Sequence, residues 1–290
     1  SEFFLREVFL HLNHRCFQLR VDVSKGFVSH YNSETSQPRT EQALAVVQRE
    51  IDCVKAELTA FRRFRTQLVS IEPTAQSTGS VDTSAGGMST LSARQPKLDT
   101  SLRAVREAYR ETVMAVPHFE AEYDDSLEAN MSMEFGPELG TQIATGTRLT
   151  PQLYEALLTA SKGARDERET LLPALEREQE SLQSVRATLD DCERRGAALG
   201  ANARRTTDPA RLDSIDERLA EIEAECEAVA ATRQQRLHSR STAALSGIDG
   251  TSLVRYLYDD CPVTCPALAD TVACLDTIRR HRRHCIVSTS

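Results

Sequence analysis

Six side chains near the end of the sequence are of the types that bind transition metals: Cys261, Cys265, Cys274, Cys285, His281 and His284. A structural zinc ion needs closely spaced ligand pairs that converge on one tetrahedron, and Cys261 and Cys265 have a suitable spacing. The other four do not extend this pair, because Cys274 is expected on the buried stripe of a helix and the histidines lie among arginines that disfavour a bound cation. We therefore predict no metal and no cofactor. Cys261 and Cys265 are the candidate ligands of the alternative, a metal-binding module.

Three further cysteines, Cys53, Cys192 and Cys226, fall on or beside heptad positions. Cysteine behaves there as a small hydrophobic residue, so we predict that these three pack in the core. Cys265 precedes Pro266 at an expected helix start, where the helix dipole favours a thiolate, and a redox role is the alternative for it. The eight scattered cysteines indicate the reduced thiols of a cytoplasmic protein and not a secreted disulfide framework.

A second group with chemical potential is acidic and follows Pro117: His118, Glu120, Glu122, Asp124, Asp125 and Glu128. Clustered carboxylates can hold the metal ion of a hydrolase. The usual motifs are absent, since the sequence contains neither HExxH nor a calcium-binding loop with alternating ligands and a central glycine. We therefore predict solvated carboxylates that cap short helices.

Four arginines form a basic run near the end of an acidic chain: Arg279, Arg280, Arg282 and Arg283. Such a run can bind an acidic partner or nucleic acid, which would make the protein a nucleic-acid-associated regulator. The simpler interpretation, which we favour, is that the arginines complement the negative end of the last helix dipole. The net charge of −8 gives the whole chain no electrostatic reason to bind nucleic acid or an anionic membrane.

The common signatures of catalysis are missing from the sequence. It contains no GxxxxGK[ST] phosphate-binding loop, no GxGxxG after an expected strand, no GxSxG and no supported Ser/His/Asp arrangement. No apolar run approaches the ~20 residues that a membrane-spanning helix requires. We therefore predict a protein that is neither an enzyme nor a membrane protein.

The composition favours helices as the elements that position these residues. Aromatic residues make up only 5% of the chain and Trp is absent, so the core must be built from Leu, Val, Ile and Ala. Residues 39–71 carry a heptad seam formed by Leu44, Val47, Ile51, Val54, Leu58, Phe61 and Leu68. The tract at 72–98 is rich in Ser, Thr and Gly, and we expect a flexible, disordered linker there because few large apolar side chains are available to fold it.

The strongest periodicity lies in residues 166–240. One heptad helix covers 166–199, and a break is expected around Gly196 and Gly200, after which Asp208-Pro209 opens a second helix with the same pattern. Each helix has roughly 33 residues and a length of about 50 Å. Two matched seams joined by a short break predict a long antiparallel, coiled-coil-like helical hairpin within a helical bundle. The first seam either folds back on this hairpin or pairs with a second chain.

Glycine and proline punctuate the rest of the core at 99–240. A helix is expected near 99–116. Gly136-Pro137 and Gly146 then separate short helices, and Thr150-Pro151 starts a new one with a hydroxyl cap.

The two ends of the chain complete the predicted organisation. Residues 241–290 are expected to hold short helices and a basic tail. Residues 1–38 contain five of the nine phenylalanines at Phe3, Phe4, Phe9, Phe17 and Phe27, and form an N-terminal extension of undefined structure. We assign no function to this extension.

Several stretches of the sequence resemble a known family. They are VREAYRETVMAVPHFEAEYDDSLEANMSMEFGPEL followed by LTPQLYEALLTA, the FRRF of the first seam, and the late YLYDDCPVTCPAL. The chain resembles, over residues 40–287, a family of uncharacterised haloarchaeal proteins known only as a domain of unknown function. The resemblance implies a halophilic archaeal cytosol and supplies no catalytic residues.

The sequence thus predicts an all-α protein that acts without catalysis. Its expected role is that of a cytoplasmic scaffold or protein-interaction protein, with a protein partner or self-association through its helices. The alternatives are the nucleic-acid-associated regulator and the metal-binding module described above.

Overall fold

The computed structural model describes residues 37–74, 100–119, 126–238, 250–259 and 261–289. These ranges contain eight helices and no strand, which confirms the predicted all-α fold. The helices are α1 (Arg39–Val69), α2 (Thr100–Thr112), α3 (Leu127–Phe135), α4 (Pro137–Thr145), α5 (Pro151–Ala203), α6 (Pro209–His238), α7 (Gly250–Tyr258) and α8 (Pro266–Thr289). The predicted extension at 1–38 and linker at 72–98 lie outside the described residues, except for 37–38 and 72–74.

Local sequence sets several helix ends where the punctuation predicted them. The Leu153 N–H donates to Oγ1 of Thr150 at 3.2 Å and so begins α5, with Pro151 as its first residue. Gly136 joins α3 to α4 with a φ of 88°, a backbone conformation that residues with a side chain rarely adopt.

The start of α1 depends on a distant residue. The backbone N–H and the hydroxyl of Thr40 donate to Oδ2 of Asp270 in α8, at 2.7 and 2.8 Å. Arg39 also lies near this carboxylate, at 3.5 Å from Oδ1. The carboxylate therefore caps the Thr40 amide in the first turn of α1 from another helix, while the Glu41 and Gln42 amides donate to the Pro38 carbonyl.

The chain divides into two compact units, and α1 and α5 each contribute to both. We call the first the hairpin unit; its described residues are 37–53, 170–238, 250–259 and 261–289. We call the second the aromatic unit; its described residues are 54–74, 100–119 and 126–169.

The core of the aromatic unit is richer in rings than the composition predicted. Phe64 meets Tyr109 edge to face at 5.3 Å between ring centroids, and Tyr109 meets Phe135 at 5.6 Å. The expectation of a core made only of Leu, Val, Ile and Ala is wrong here, because most of the aromatic residues that the structure describes lie in this unit. Aliphatic residues fill the space around them: Leu68, Leu102, Val105, Val113, Met131, Ile143, Leu149 and Leu157.

In the hairpin unit, α5 and α6 run antiparallel. Arg233 of α6 contacts Glu178 near the middle of α5, whereas Glu225 contacts Arg195 near the turn at 204–208. Most of the seam that the heptads predicted is buried: Leu171, Leu175, Leu182, Val185, Leu189, Cys192, Leu199, Leu212, Leu219, Ile222 and Cys226. The predicted seam residues Ile215 and Val229 are only half-buried.

The first seam folds back within the same chain. Gln179 of α5 donates to the side-chain oxygen of Gln48 at 2.5 Å, and Val47 and Ile51 are buried. Of the two arrangements left open by the sequence, the described part of the hairpin unit shows the intrachain one.

The predicted break at Gly196 and Gly200 is wrong, because α5 continues through both glycines to Ala203. A Cβ atom on Gly196 would collide with Ile278 of α8, and one on Gly200 would lie 2.6 Å from Nδ1 of His281. The glycines therefore permit close helix packing and do not reverse the chain. With 53 residues, α5 is also longer than the predicted heptad helix.

In the region after 241, α8 begins at Pro266, where a helix start was expected, but it is longer than the predicted short helices and basic tail. Helix α7 is short, with 9 residues, but α8 has 24 and contains the whole arginine run. None of the helices in the described ranges is both long and apolar enough to cross a membrane.

Candidate functional site

Cys261 and Cys265, the sequence-predicted metal candidates, lie in the turn between α7 and α8. Both are half-buried. The Cys261 N–H donates to the Tyr258 carbonyl at 3.0 Å, and the Cys265 carbonyl accepts from Ala269 at 3.1 Å as α8 begins. Among the residues that the structure describes, no three His, Cys, Asp or Glu side chains are grouped to hold a metal ion. The geometry therefore adds no ligand to this pair.

Two of the four predicted partner-binding arginines are engaged within the chain. Arg279 donates to Glu223 at 2.6 Å and to Glu227 at 2.8 Å, both on α6. Arg282 donates to Asp216 at 2.9 Å and to the second oxygen of Glu223 at 2.7 Å. Hydrogen bonds from Arg279 and Arg282 lower the pKa of Glu223. These arginines tie α8 to α6.

The other two arginines of the run are exposed on α8. Arg280 donates to the Asp276 carbonyl at 3.3 Å and to the Thr277 hydroxyl at 2.9 Å, and Arg283 is also exposed. The helix continues past them to Thr289, so the run does not occupy the last turn. The helix-dipole interpretation is therefore wrong, because the dipole acts mainly within that turn.

The predicted acidic cluster falls partly outside the described residues, which exclude Glu120, Glu122, Asp124 and Asp125. Glu128 is exposed in the first turn of α3 and accepts from Thr141 at 3.1 Å, as expected for a solvated carboxylate. His118 is not solvated in this way. Its Nε2 atom lies 3.3 Å from Oε1 of Glu57, and its side chain is only 13% exposed.

His118 belongs to a buried ion cluster that the sequence did not predict. Arg168 of α5 donates through Nε to Glu57 at 2.7 Å and through Nη2 to Glu134 at 2.9 Å. Its Nη1 donates to the Ala164 carbonyl at 2.9 Å, and its guanidinium stands 4.4 Å above the Phe61 ring centroid. Each nitrogen of Arg168 thus has an acceptor although only 3% of the side chain is exposed.

A second buried ion pair lies in the hairpin unit. Arg233 donates to the Glu178 carboxylate through two nitrogens, at 2.8 and 2.5 Å, and to the Ser181 hydroxyl at 3.1 Å. The Tyr258 hydroxyl donates to the same carboxylate at 2.9 Å. Burial and the negative charge of Glu178 raise the pKa of Tyr258. The network joins the end of α7 to both helices of the hairpin.

Three buried thiols also gather in the hairpin unit, in agreement with the predicted core positions of Cys192 and Cys226, whereas Cys53, which was also predicted in the core, is only half-buried. The Sγ atoms of Cys226 and Cys274 are 3.6 Å apart. The Sγ atom of Cys192 is 3.8 Å from the Glu225 carboxylate and 3.8 Å from Nη2 of Arg195. Burial raises the pKa of the Cys192 thiol to about 12, so this thiol is protonated at neutral pH.

The ion clusters and the sulfur contact were missed for the same reason. Their partners are far apart in sequence, 111 residues for Arg168 and Glu57 and 48 for Cys226 and Cys274. The available signal was a charged residue on an otherwise apolar helix face, at Glu57, Arg168 and Glu178.

An open apolar groove lies at the start of α8. It has a volume of about 570 Å³. Its apolar wall consists of Val263, Leu268, Ala269, Val272 and Ala273, and Arg39 and Asp276 add opposite charges. Val272 is 55% exposed, which is high for a large aliphatic side chain.

Comparison with known proteins identifies the family of this chain from its sequence. A family model described as a domain of unknown function, DUF7260, matches residues 38–282, in agreement with the resemblance that the motifs suggested. No curated protein and no solved structure matches the chain. Because the match covers most of its length, the chain belongs to the DUF7260 family.

Proposed function

We propose that this protein is a non-enzymatic helical scaffold that binds a protein partner through the groove at the start of α8. The observation that carries the proposal is the exposure of Val272, at 55%, within a wall of apolar side chains. Apolar surface rimmed by polar groups is typical of protein interaction sites. The fitting occupant is a helix with an apolar stripe, which can lie along α8 as helices pack on one another.

The charges at the rim support a specific orientation of the partner. Arg39 and Asp276 line the same groove with opposite signs. Charged groups at the edge of an interface contribute mainly to register and to the rate of association. A partner helix with a complementary pair of charges is therefore favoured over a purely apolar one.

The state of the buried groups supports a role without catalysis. A general acid or base works best with a pKa near the working pH, and a cysteine nucleophile must become a thiolate. Burial instead raises the pKa of Cys192 to about 12. Glu57 and Glu178 are paired with Arg168 and Arg233, which fixes these carboxylates in ion pairs.

The nucleic-acid alternative draws less support. Arg279 and Arg282 donate to carboxylates of α6, so binding phosphates with them requires breaking those ion pairs. If the alternative holds, affinity for a DNA or RNA duplex falls steeply with salt and is lost when all four arginines become alanine.

We place the protein in the cytoplasm of a halophilic archaeon. Only four of its 35 basic residues are lysines, at Lys25, Lys55, Lys97 and Lys162, and the chain carries a net charge of −8. The described cysteines form no disulfide bond with one another, which fits a reducing compartment. Cell fractionation with an antibody against the protein tests this assignment.

Site-specific photo-crosslinking tests the binding surface. A benzophenone amino acid replaces Val272 in the groove or, as a control, the exposed Glu217 on α6. We expect one discrete protein adduct from position 272 in cells and none from position 217. Its mass identifies the partner as another protein or a second copy of this chain.

A groove-filling variant completes the test. Ala269→Glu places a charged side chain inside the groove and should abolish the adduct from position 272. Equal adducts from both positions, or an adduct that survives Ala269→Glu in a folded protein, would contradict the proposal.

A further inference from the structure

The contact between Cys226 and Cys274 joins two helices through two sulfur atoms. Cys226 lies on α6 and Cys274 on α8, and their Sγ atoms are 3.6 Å apart. Both side chains are buried, with 0% and 2% exposure. A disulfide bond has an S–S length of about 2.05 Å, so the two sulfurs need to move together by only about 1.5 Å.

Neighbouring ion pairs hold the two helices in place around this contact. Arg279 of α8 binds Glu223 and Glu227, which precede and follow Cys226 on α6 by one turn or less. Arg282 adds contacts to Asp216 and Glu223. The two sulfurs therefore face each other between two helices that these ion pairs hold together.

The two thiols are chemically unequal. The hydrogen bond between them lowers the pKa of Cys274 and raises that of Cys226. Either sulfur can be the S–H donor in this contact, and Cys274 is the one whose lowered pKa lets it carry negative charge more readily. A thiolate is the reactive form of cysteine, so Cys274 is suited to attack an oxidant and Cys226 to resolve the product.

We propose that Cys226 and Cys274 are a modification site at which hydrogen peroxide creates a disulfide cross-link between α6 and α8. The Cys274 thiolate attacks one peroxide oxygen, the O–O bond breaks, and Cys274 becomes a sulfenic acid while hydroxide takes up the proton that Cys274 lost. The Cys226 sulfur then attacks the sulfenic sulfur. The S–S bond forms, the S–O bond breaks, and the hydroxyl leaves as water with the Cys226 proton. Two thiols lose two electrons, and one peroxide is reduced to two waters.

Burial selects both the oxidant and the product. Hydrogen peroxide is small enough to reach sulfurs that are almost fully buried, whereas a bulky disulfide reagent is not. The disulfide is neutral, so its low-dielectric surroundings do not oppose it. A metal ion would instead require several buried thiolates, which the same burial disfavours.

Peptide mapping of the full chain tests the proposal. The reduced protein is treated with hydrogen peroxide, free thiols are alkylated, and the digest is analysed without reduction. We expect one linked peptide pair that contains Cys226 and Cys274 and is two hydrogens lighter than its separate peptides. Cys192, Cys265 and Cys285 should remain alkylated.

Alanine variants show whether both sulfurs are required. Cys226→Ala and Cys274→Ala should each abolish the linked pair, and circular dichroism checks that each variant is folded. Cys285→Ala is the matched control, because Cys285 lies on the same helix and is equally buried, at 1% exposure. The control should form the link as the unmodified chain does.

Three results would overturn the proposal. The first is a folded, peroxide-treated chain with no linked pair. The second is a link from Cys226 to Cys192 that persists in Cys274→Ala. The third is sulfinic acid at Cys274 as the main product while Cys226 stays free. Because the mapping of the unmodified chain decides the first and third, the test does not depend on the variants folding.

Discussion

Inside the aromatic unit, the three nitrogens of Arg168 donate to Glu57, Glu134 and the Ala164 carbonyl. A buried ion pair adds little net stability over a well-packed apolar group, since both charges lose their water. The loss of only one partner is costly, because the remaining charge stays buried and unpaired. The cluster therefore constrains which side chains the unit can accept at these positions.

Replacing Arg168 by methionine should destabilise the protein strongly. The change keeps a long side chain over Phe61 but leaves two carboxylates without their cation, and we expect a loss of about 3–5 kcal/mol in the free energy of unfolding. Urea unfolding measures it. Arg62→Met is the control, because Arg62 pairs with Glu169 while 58% exposed and should cost less than about 1 kcal/mol. Equal losses in the two variants would contradict the expectation that removing the buried Arg168 charge costs more than removing the exposed Arg62 charge.

Tyr258 should make stability fall at high pH. Burial and the Glu178 charge raise its pKa in the folded protein, so the phenol stays protonated there after the unfolded phenol ionises near pH 10. The unfolded state then loses a proton that the folded state keeps. Each pH unit above about 10 should therefore remove up to about 1.4 kcal/mol through this residue.

The comparison of Tyr258→Phe with the unmodified chain isolates that effect. The variant should lose less stability between pH 9 and 11, although it lacks one hydrogen bond at every pH. Tyr154→Phe, which removes a part-buried hydroxyl bound to the Leu68 carbonyl, is the control. Parallel pH profiles for Tyr258→Phe and the unmodified chain would contradict the expectation.

At the scale of the helices, the sequence was informative wherever one face is buried periodically. The seams of α1, α5 and α6 were predicted because apolar residues recur every three or four positions along each helix. Gly196 and Gly200 were misread, since low helix propensity is a local signal and close packing against Ile278 is not. The candidate sites were predicted least well, because ion pairs and sulfur contacts form between residues far apart in the chain.

Substitution of two glycines of α5 by alanine distinguishes the effect of helix propensity on stability from the effect of packing. Alanine should stabilise the protein at Gly163, where an added Cβ meets nothing within 4 Å, by about 0.5–1 kcal/mol. At Gly196 the same change collides with Ile278 and should destabilise by about 1–3 kcal/mol. Thermal or urea unfolding of both variants measures the difference. A gain at both positions would mean that α8 yields to the new methyl group at little cost.

At the scale of the whole molecule, the acidic surplus is distributed unevenly. Glu223, Glu225 and Glu227 of α6 are paired with arginines of α5 and α8, whereas Glu217 and Glu221 are exposed and four residues apart on the same helix. Like charges at this spacing repel by a few tenths of a kcal/mol. The net charge of −8 adds a general repulsion.

Stability should therefore rise with salt. Screening weakens the exposed repulsions as well as exposed pairs such as Arg279 with Glu227, but such pairs contribute little, and the buried Arg168 and Arg233 pairs are screened least. Thermal melts from low to molar potassium chloride measure the trend. A Glu217→Gln, Glu221→Gln double variant should show a smaller rise. A flat or falling Tm in the unmodified chain would contradict the expectation.

The cap that Asp270 places on Thr40 also sets an order of events during synthesis. Helix α1 leaves the ribosome before α8, but the carboxylate that accepts from the Thr40 amide is translated 230 residues later. Until then, the first turn of α1 lacks this acceptor and should fray, while the rest of the helix forms on its own seam. Release of α8 thus completes the cap of α1, so a ribosome stalled before residue 270 carries a nascent chain in which the Thr40 amide of α1 lacks this acceptor.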